Sequence, residues 1–256
     1  DDCLPTNKVD LLVVVENSGS MAEEQALLQA QFDTLIVTLT AALGQAPDLH
    51  VGVTSTDLGT GEFPVPNCEA GGDDGGLLRG NCVYPEGANW IVDADPAGGC
   101  TVEHNPDGTC AAHNCVASNC NHEGSTTLFV DDGGCPRCRN TATQAVSETF
   151  SCIAGRGTVG CPFEQPLESM YQALDQNPAN TGFLRDHAVL AILFITDEDD
   201  CSATDDSIFD GSQTLIDSPL GPFTAYRCFE FGITCDVNDR TTTGERTGCV
   251  PRDDAG

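Results

Sequence analysis

Two patterns of hydrophobic and polar positions alternate along the first 57 residues. Residues 9–15, VDLLVVV, form a short apolar run rich in β-branched side chains, which predicts a strand buried on both faces of a parallel sheet. Between Met21 and Leu43 apolar positions recur at roughly helical spacing, and Gly44 follows where a helix would end. Residues 49–56, LHVGVTST, predict a second strand. The order strand, helix, strand predicts a doubly wound α/β fold.

The same patterns return in the second half of the chain. Residues 126–132 predict a strand, and residues 141–154 predict a helix. Residues 163–174, FEQPLESMYQAL, predict a further helix. Residues 187–202, HAVLAILFITDEDDCS, repeat the opening pattern, because a buried strand runs directly into carboxylates. Short strands are predicted within residues 223–235.

Between these two regions the composition shifts to Gly, Pro, Asn, Asp and Cys, which indicates an insertion into the α/β domain. The last segment is loop-rich, and its sheet could be completed by further sequence or by a partner chain. The predicted organisation has four parts: the first part of the α/β domain at 1–57, a cysteine-rich insertion at 58–160, the second part of the domain at 161–202, and a C-terminal segment at 203–256.

The chain contains 15 cysteines, a density that predicts an exported protein in an oxidising compartment. Because the number is odd, at least one cysteine must be free or paired outside the sequence. Zinc is the alternative, since His113 and His122 lie among cysteines 110, 115, 120, 135 and 138. A zinc ribbon needs two Cys-x-x-Cys pairs and CPRC is the only one, so the sequence predicts disulfides.

Acidic residues outnumber basic residues by 40 to 10, giving a formal net charge of -30. Such a charge repels nucleic acid and anionic membranes, so these partners are excluded. High solubility, a saline medium and bound divalent cations are all compatible with it. No apolar run reaches the roughly 18 residues of a membrane span, and no basic, apolar leader opens the chain.

Two buried strands end in oxygen-rich turns, ENSGS and TDEDD. The carboxyl ends of adjacent parallel strands share one edge of a sheet, so Glu16, Ser18 and Ser20 are expected to meet Asp197 there. Carboxylate and hydroxyl oxygens suit Mg²⁺, Mn²⁺ or Ca²⁺ better than Zn²⁺. The alternative is an ordinary helix N-cap, in which a serine hydroxyl satisfies a free amide of the following helix.

These turns resemble the metal-ion-dependent adhesion site (MIDAS) of von Willebrand factor A (vWA) domains, which reads Asp-x-Ser-x-Ser after the first strand. Residues 16–21, ENSGSM, match that motif except at the first ligand, and Asp197 matches the distal aspartate. The resemblance covers roughly residues 9–57 and 160–202. It is closest to acidic, cysteine-rich bacterial surface proteins of the family, through STDLG, FEQPLE, TDEDDCS and RCFEFGITC. The resemblance implies a Rossmann-like, mostly parallel sheet that binds protein ligands through the metal.

The sequence departs from the family at three points. Glu16 replaces the aspartate and reaches about 1.5 Å further. The family's threonine ligand has no clear match, and Thr158 and Glu164 are the residues available. If Glu164 substitutes, the site is more anionic and favours calcium. The further βα units of the family are not evident, which predicts either a longer product or a sheet edge supplied by another chain.

The sequence therefore predicts an extracellular or cell-surface module for adhesion or protein binding. A carboxylate of a protein ligand or neighbouring subunit would complete the shell of the divalent cation, in a homo- or hetero-assembly. The alternative is a structural subunit of an extracellular assembly, with a degenerate or purely structural metal site. No nucleophilic triad is readable, and metal-assisted hydrolysis with Glu164 as base is the weakest alternative, so no enzyme is predicted.

Overall fold

A computed structural model describes residues 7–122, 124 and 126–252. Regular structure begins with a strand, a helix and a second strand, as the hydrophobic pattern predicts. The strands are β1 Lys8–Val15, β2 Asp48–Ser55, β3 Ile91–Ala94, β4 Val102–His104, β5 Cys110–His113, β6 Thr127–Val130, β7 Pro136–Arg139, β8 Val189–Ile195, β9 Ile233–Thr234 and β10 Val250–Pro251. The α-helices are α1 Ala22–Leu43, α2 Val146–Ala154, α3 Pro166–Tyr171 and α4 Tyr226–Gly232.

A six-stranded sheet in the order β6-β7-β3-β2-β1-β8 forms the centre of the molecule. β1 pairs in parallel with both β2 and β8. The other three strands come from residues 58–160 and pair antiparallel, so they extend the sheet that the predicted α/β segments begin. The α/β class is confirmed, and the sheet is mixed, with parallel pairing confined to β2, β1 and β8.

Helices cover both faces of the sheet at β1. On one face Val13 and its odd-numbered neighbours pack with α1 and α2, whose Phe32 and Phe150 rings stack with centroids 3.8 Å apart. On the other face Leu12 and Val14 pack near α3. Because side chains alternate along a strand, an uninterrupted apolar run serves both layers at once.

Helix α1 is long and apolar enough to cross a membrane by length and composition alone. Here it follows β1 directly and lies against the sheet through Phe32, Leu35 and Ile36. It ends at Gly44, whose φ of 72° is the left-handed conformation of a helix C-cap. Phe32 is buried in this contact, whereas Leu27 and Val37 on the same helix are 62% and 67% exposed.

Asp10 interrupts the apolar run of β1 and is nonetheless buried. The side chain of Arg185 donates to Asp10 Oδ1 at 2.8 Å and also to Asp48 on β2. A buried charge is tolerated only when it is paired, so this arginine joins β1, β2 and the segment before β8 at the amino ends of the parallel strands. At the opposite end of the same strands, the described residues form no ion pair with an arginine.

Seven disulfides join 14 cysteines, and Cys3 lies outside the described residues. The pairs are Cys68–Cys161, Cys82–Cys152, Cys100–Cys115, Cys110–Cys135, Cys120–Cys138, Cys201–Cys228 and Cys235–Cys249. The predicted disulfides are confirmed, and the five cysteines weighed as zinc ligands are all paired. This bonding fits an oxidising compartment.

Two predicted elements need correction. The helix expected over 141–154 is present only from Val146 to Ala154. Residues 223–235 form helix α4 and the short β9 instead of strands. The aromatic and β-branched residues of this segment favour strands, but contacts with residues elsewhere in the chain decide its structure. Cys228 is bonded to Cys201, and the buried side chain of Arg227 donates to five backbone carbonyls.

Strand β8 lies at the edge of the sheet, and within the described residues it pairs with β1 alone. The side chains of Leu190, Ile192 and Phe194 are 42%, 36% and 36% exposed. An apolar strand with one free edge and a half-covered face differs from the fully buried strand that its sequence predicts.

Candidate metal centre

The carboxyl ends of β1 and β8 place Glu16 beside Asp197. Val15 is in register with Ile195, and the Glu16 amide continues the ladder to the Ile195 carbonyl at 2.9 Å. One oxygen of the Glu16 side chain, Oε2, accepts from the Thr196 hydroxyl at 2.5 Å and from the Asp197 amide at 3.0 Å. The two strand ends that the sequence predicted to meet are therefore in contact.

A chain of side-chain hydrogen bonds connects four of the five predicted site residues. The Ser18 hydroxyl donates to Glu16 Oε1 and lies 3.2 Å from the Ser20 hydroxyl. Ser20 in turn donates to Asp197 Oδ1 at 3.1 Å. Helix α1 has Met21 at its N-cap and no side-chain cap. The serine hydroxyls thus face carboxylates, and the helix-capping alternative is not what the structure contains.

Glu164 is the fifth predicted residue, and it lies in the segment before α3, where its charge interacts with that of Glu16. Its carboxylate is not among the oxygens at these strand ends that lie within 4.8 Å of one another. Its carbonyl accepts from the Cys201 amide at 2.7 Å, and the next residue, Gln165, donates its amide to Thr56 at the end of β2. The carboxylate is fully buried. Its Oε2 accepts from the Thr56 hydroxyl, whereas its Oε1 has no hydrogen-bond partner.

The environment of Glu164 disfavours a charged carboxylate. Burial raises its pKa to about 8, against the lowering effect of the Thr56 hydroxyl. The negative charges of Glu16, Glu198 and Asp57 raise it further. Glu164 is therefore coupled electrostatically to Glu16.

Three residues that sequence reasoning did not include also belong to this group. Thr56 binds Glu164, and Thr196 binds Glu16, as described above. Oxygens of Glu198, Glu16 and Asp197 all lie within 4.8 Å of one another. Burial raises the pKa of Glu198, and so do the charges of Glu16 and Asp197. Thr158, the other residue considered for the missing threonine ligand, lines a neighbouring cavity instead.

Gln25, in the first turn of α1, fixes the loop that carries Glu16, Ser18 and Ser20. Its side-chain nitrogen donates to the carbonyls of Glu16 and Gly157, both at 2.8 Å, and its side-chain oxygen accepts from the Arg156 amide at 3.1 Å. A buried side chain with all of these bonds holds the 16–20 loop against the loop before α3.

The donor set fits a hard divalent cation. It consists of carboxylates and hydroxyls, with no sulfur or imidazole, which suits Ca²⁺, Mg²⁺ or Mn²⁺. Two of the carboxylates are fully buried, and the ion pairs formed between described residues involve other acids. The unpartnered Oε1 of Glu164 is the kind of atom that a bound cation would satisfy.

A second cluster of ligand-type side chains contains His104, Cys110 and Cys135. These two cysteines are bonded to each other, so they offer no thiolate to a metal. Among the described residues, the acidic group at the strand ends is therefore the better metal centre.

No protein-family model, curated protein or solved structure matches the chain significantly.

Proposed function

We propose that this protein is an extracellular, metal-dependent protein-binding module of the vWA type, with a MIDAS-like centre. The observation that carries the proposal is the meeting of Glu16, Ser18, Ser20 and Asp197 at the carboxyl ends of β1 and β8. Glu164 and Thr56 complete the group from a third strand end. A divalent cation would stabilise this group, because Glu16 is fully buried and the described ion pairs give it no basic partner.

The geometry gives a reason for glutamate at position 16. Its carboxylate lies between Ser18 on its own loop and Thr196 with Asp197 on the neighbouring strand end. The extra methylene lets one side chain reach both loops, whereas an aspartate would sit closer to β1. In this proposal Glu16 is a direct ligand whose position is fixed from two sides.

Exposure differs across the proposed ligands. Glu16 and Glu164 are fully buried, while Ser20 and Asp197 are exposed. An ion bound to the buried carboxylates would keep coordination positions open to solvent on the side of Ser20 and Asp197. A carboxylate from a protein ligand or a neighbouring subunit would fill one of them, and the ion's charge would supply the attraction despite the protein's net charge of -30.

Mn²⁺ tests this arrangement, because it is paramagnetic and relaxes the protons of coordinated water. The chelator-treated protein is titrated with MnCl₂, and the water-proton relaxation rate is followed as sodium acetate is added. We expect bound Mn²⁺ with high relaxivity that acetate lowers by displacing water, and a loss of Mn²⁺ affinity in Glu16→Gln. Mn²⁺ binding unaffected by Glu16→Gln, or relaxivity unaffected by acetate, contradicts the proposal.

The second candidate function is a structural subunit of an extracellular assembly. The exposed apolar face and free edge of β8 favour it, because a strand of a neighbouring subunit could pair there and cover Leu190, Ile192 and Phe194. In this case the cation would only stabilise the fold.

Chelation separates the two functions. Under the binding-module proposal, EDTA abolishes attachment to the partner surface while circular dichroism shows an intact fold. Under the structural-subunit alternative, attachment persists in EDTA and is lost when the apolar face of β8 carries a charge. Loss of the fold in EDTA would show that the cation is structural.

A further inference from the structure

The disulfide Cys110–Cys135 differs from the other described disulfides in its exposure to solvent. Both of its cysteines are partly exposed. Each of the other six pairs contains at least one buried cysteine, namely Cys82, Cys115, Cys120, Cys161, Cys201 or Cys235. A reductant must reach a sulfur atom to open a disulfide, so Cys110–Cys135 is the pair that a soluble thiol attacks first.

An imidazole lies directly beside this disulfide. His104 on β4 is the cross-strand partner of Cys110 on β5, so their side chains project from the same face of the hairpin. The Nδ1 atom of His104 lies 3.5 Å from Cys110 Sγ. One imidazole nitrogen and both sulfurs lie within 4.8 Å of one another. None of these three residues belongs to the proposed MIDAS-like centre.

Backbone hydrogen bonds hold the three side chains together independently of the disulfide. Pairing of β4 with β5 keeps His104 opposite Cys110. In the turn between β6 and β7 the Cys135 amide donates to Asp131 Oδ1 at 2.8 Å. The Cys110 amide donates to the Gly133 carbonyl at 2.8 Å and so joins the two hairpins. Opening the disulfide therefore leaves the two cysteines close to each other and to the imidazole.

The spacing of these atoms fits a tetrahedral zinc ion. Zn²⁺ binds cysteine sulfur at about 2.3 Å and histidine nitrogen at about 2.0 Å, so a sulfur and a nitrogen on one ion lie about 3.5 Å apart. His104 Nδ1 and Cys110 Sγ have this spacing. Two thiolates on one ion lie about 3.8 Å apart. Cysteines whose Cα atoms are 4.9 Å apart reach that separation by rotating their side chains once the sulfurs are no longer bonded.

We propose that Cys110–Cys135 is a reducible disulfide and that its reduced form binds Zn²⁺ through two thiolates and His104. The reductant is a dithiol. Its first thiolate attacks one sulfur of the pair and releases the other, and its second thiol then releases the attacked sulfur. The dithiol becomes a disulfide, and the protein gains two thiols whose protons Zn²⁺ displaces.

This site differs in chemistry from the acidic centre. Thiolate and imidazole ligands select zinc over Ca²⁺, Mg²⁺ and Mn²⁺, which prefer oxygen. Three protein ligands leave the fourth position of the tetrahedron to water. The oxidised chain offers no thiolate at these positions, so zinc binding here is conditional on reduction.

Limited reduction tests whether this disulfide opens first. The protein is incubated with increasing concentrations of dithiothreitol, free thiols are alkylated with N-ethylmaleimide, and labelled peptides are mapped by mass spectrometry. We expect label on Cys110 and Cys135 at concentrations that leave the other six pairs closed and the circular dichroism spectrum unchanged. Earlier opening of another pair, or simultaneous opening of several pairs, overturns the inference.

Cobalt tests the metal site, because Co²⁺ bound to thiolate absorbs in the near ultraviolet. The reduced protein is freed of dithiothreitol under argon and titrated with CoCl₂ and then with ZnCl₂. We expect one Co²⁺ per reduced chain with this absorption, its displacement by Zn²⁺, and no such absorption in the oxidised chain. Co²⁺ at the oxygens of the acidic centre gives no thiolate absorption, so the outcome is independent of the proposed function.

Matched variants locate the zinc ligands. His104→Asn should weaken Zn²⁺ binding about tenfold or more. His187→Asn makes the same change at an exposed histidine with φ 63°, which asparagine tolerates, and should bind like the wild type. Cys110→Ser combined with Cys135→Ser should abolish the thiolate absorption. If that variant does not fold, wild type alkylated at both cysteines takes its place. Absorption that survives these changes, or affinity unchanged in His104→Asn, overturns the inference.

Discussion

Ser18 is the residue at which a cation ligand and an ordinary helix cap make different predictions. Its hydroxyl bonds to Glu16 and contacts Ser20, and it caps no helix amide. Removing it costs a hydrogen bond to a carboxylate whether or not a metal is bound, but only the bound state also loses a ligand.

For Ser18→Ala we expect cation affinity to fall about tenfold or more, with a smaller gain in unfolding temperature on adding CaCl₂. The measurement is thermal unfolding of wild type and variant in EDTA and in CaCl₂. An equal loss in the two buffers would mean that Ser18 serves the fold alone.

Glu164 should make cation binding depend on pH, because its carboxyl has a pKa of about 8 without metal. At pH 7 this carboxyl is mostly protonated, so a cation that coordinates Glu164 must displace its proton. Affinity should therefore rise by up to about tenfold per pH unit between pH 6 and 8 and level off above. Glu164→Gln should flatten this rise. Calorimetry at several pH values checks it, and an equally steep rise in the variant would contradict it.

The same group also predicts a pH effect on stability without metal. The pKa of Glu164 is higher in the folded than in the unfolded chain, so the folded state binds more protons between pH 4.5 and 8. Its contribution to stability is therefore lost as pH rises through that window. In EDTA, wild type should lose more stability than Glu164→Gln between pH 5 and 8, measured by urea unfolding. Parallel curves for the two proteins would contradict it.

Sequence reasoning identified the candidate ligands that follow buried strands but missed Thr56, Thr196 and Glu198. Thr196 and Glu198 lie on either side of Asp197 and were read with the turn. Thr56 depends on a long-range contact with Glu164, 108 positions away, and no local pattern signals such a contact. The prediction that residues 16 and 197 meet succeeded because adjacent parallel strands end at one edge.

At the scale of elements, sequence predicted the parallel strands β1, β2 and β8 and the helix α1. It missed β3 and β7, which are four residues each. β7 reads PRCR, and its burial depends on Arg137 binding Asp93 and Asp95 and on the disulfide of Cys138. The sequence pattern shows two arginines at these positions but does not show the distant aspartates that pair with Arg137.

Strand β8 is the element whose exposed face a partner would cover. At about 1 M salt, where screening is nearly complete, the wild type should self-associate through β8. Ile192→Lys should keep the protein monomeric, because it places a charge on that face. Leu215→Lys, at a 66% exposed loop position, is the matched control and should associate like the wild type. Sedimentation velocity measures this, and two variants that behave alike would count against an interface at β8.

At the scale of the whole molecule, charge is distributed unevenly over a rigidly cross-linked fold. Arginines neutralise buried acids at the amino ends of the parallel strands, through Arg185 and Arg137. At the carboxyl ends, buried acids have hydroxyl partners but no arginine among the described ion pairs. Among the described residues, the buried acids that lack an arginine partner, Glu16 and Glu164, thus lie at one end of the parallel strands.

This uneven distribution of buried acidic side chains predicts that divalent cations stabilise the fold specifically. A low concentration of CaCl₂ should raise the unfolding temperature more than NaCl at the same ionic strength. A free calcium concentration of 100 times the dissociation constant adds about 2.7 kcal/mol per site to the free energy of unfolding. Glu16→Gln should reduce that excess. Equal effects of the two salts would indicate general screening only.

The most direct test of the account is a crystal structure of the protein soaked with CaCl₂ or MnCl₂, with the ion located by anomalous scattering. We predict an ion within about 2.6 Å of a Glu16 carboxylate oxygen, with Ser18, Ser20 and Asp197 coordinating directly or through water. A well-ordered structure with no ion near Glu16 at saturating metal would contradict the central claim that these strand ends form a cation site.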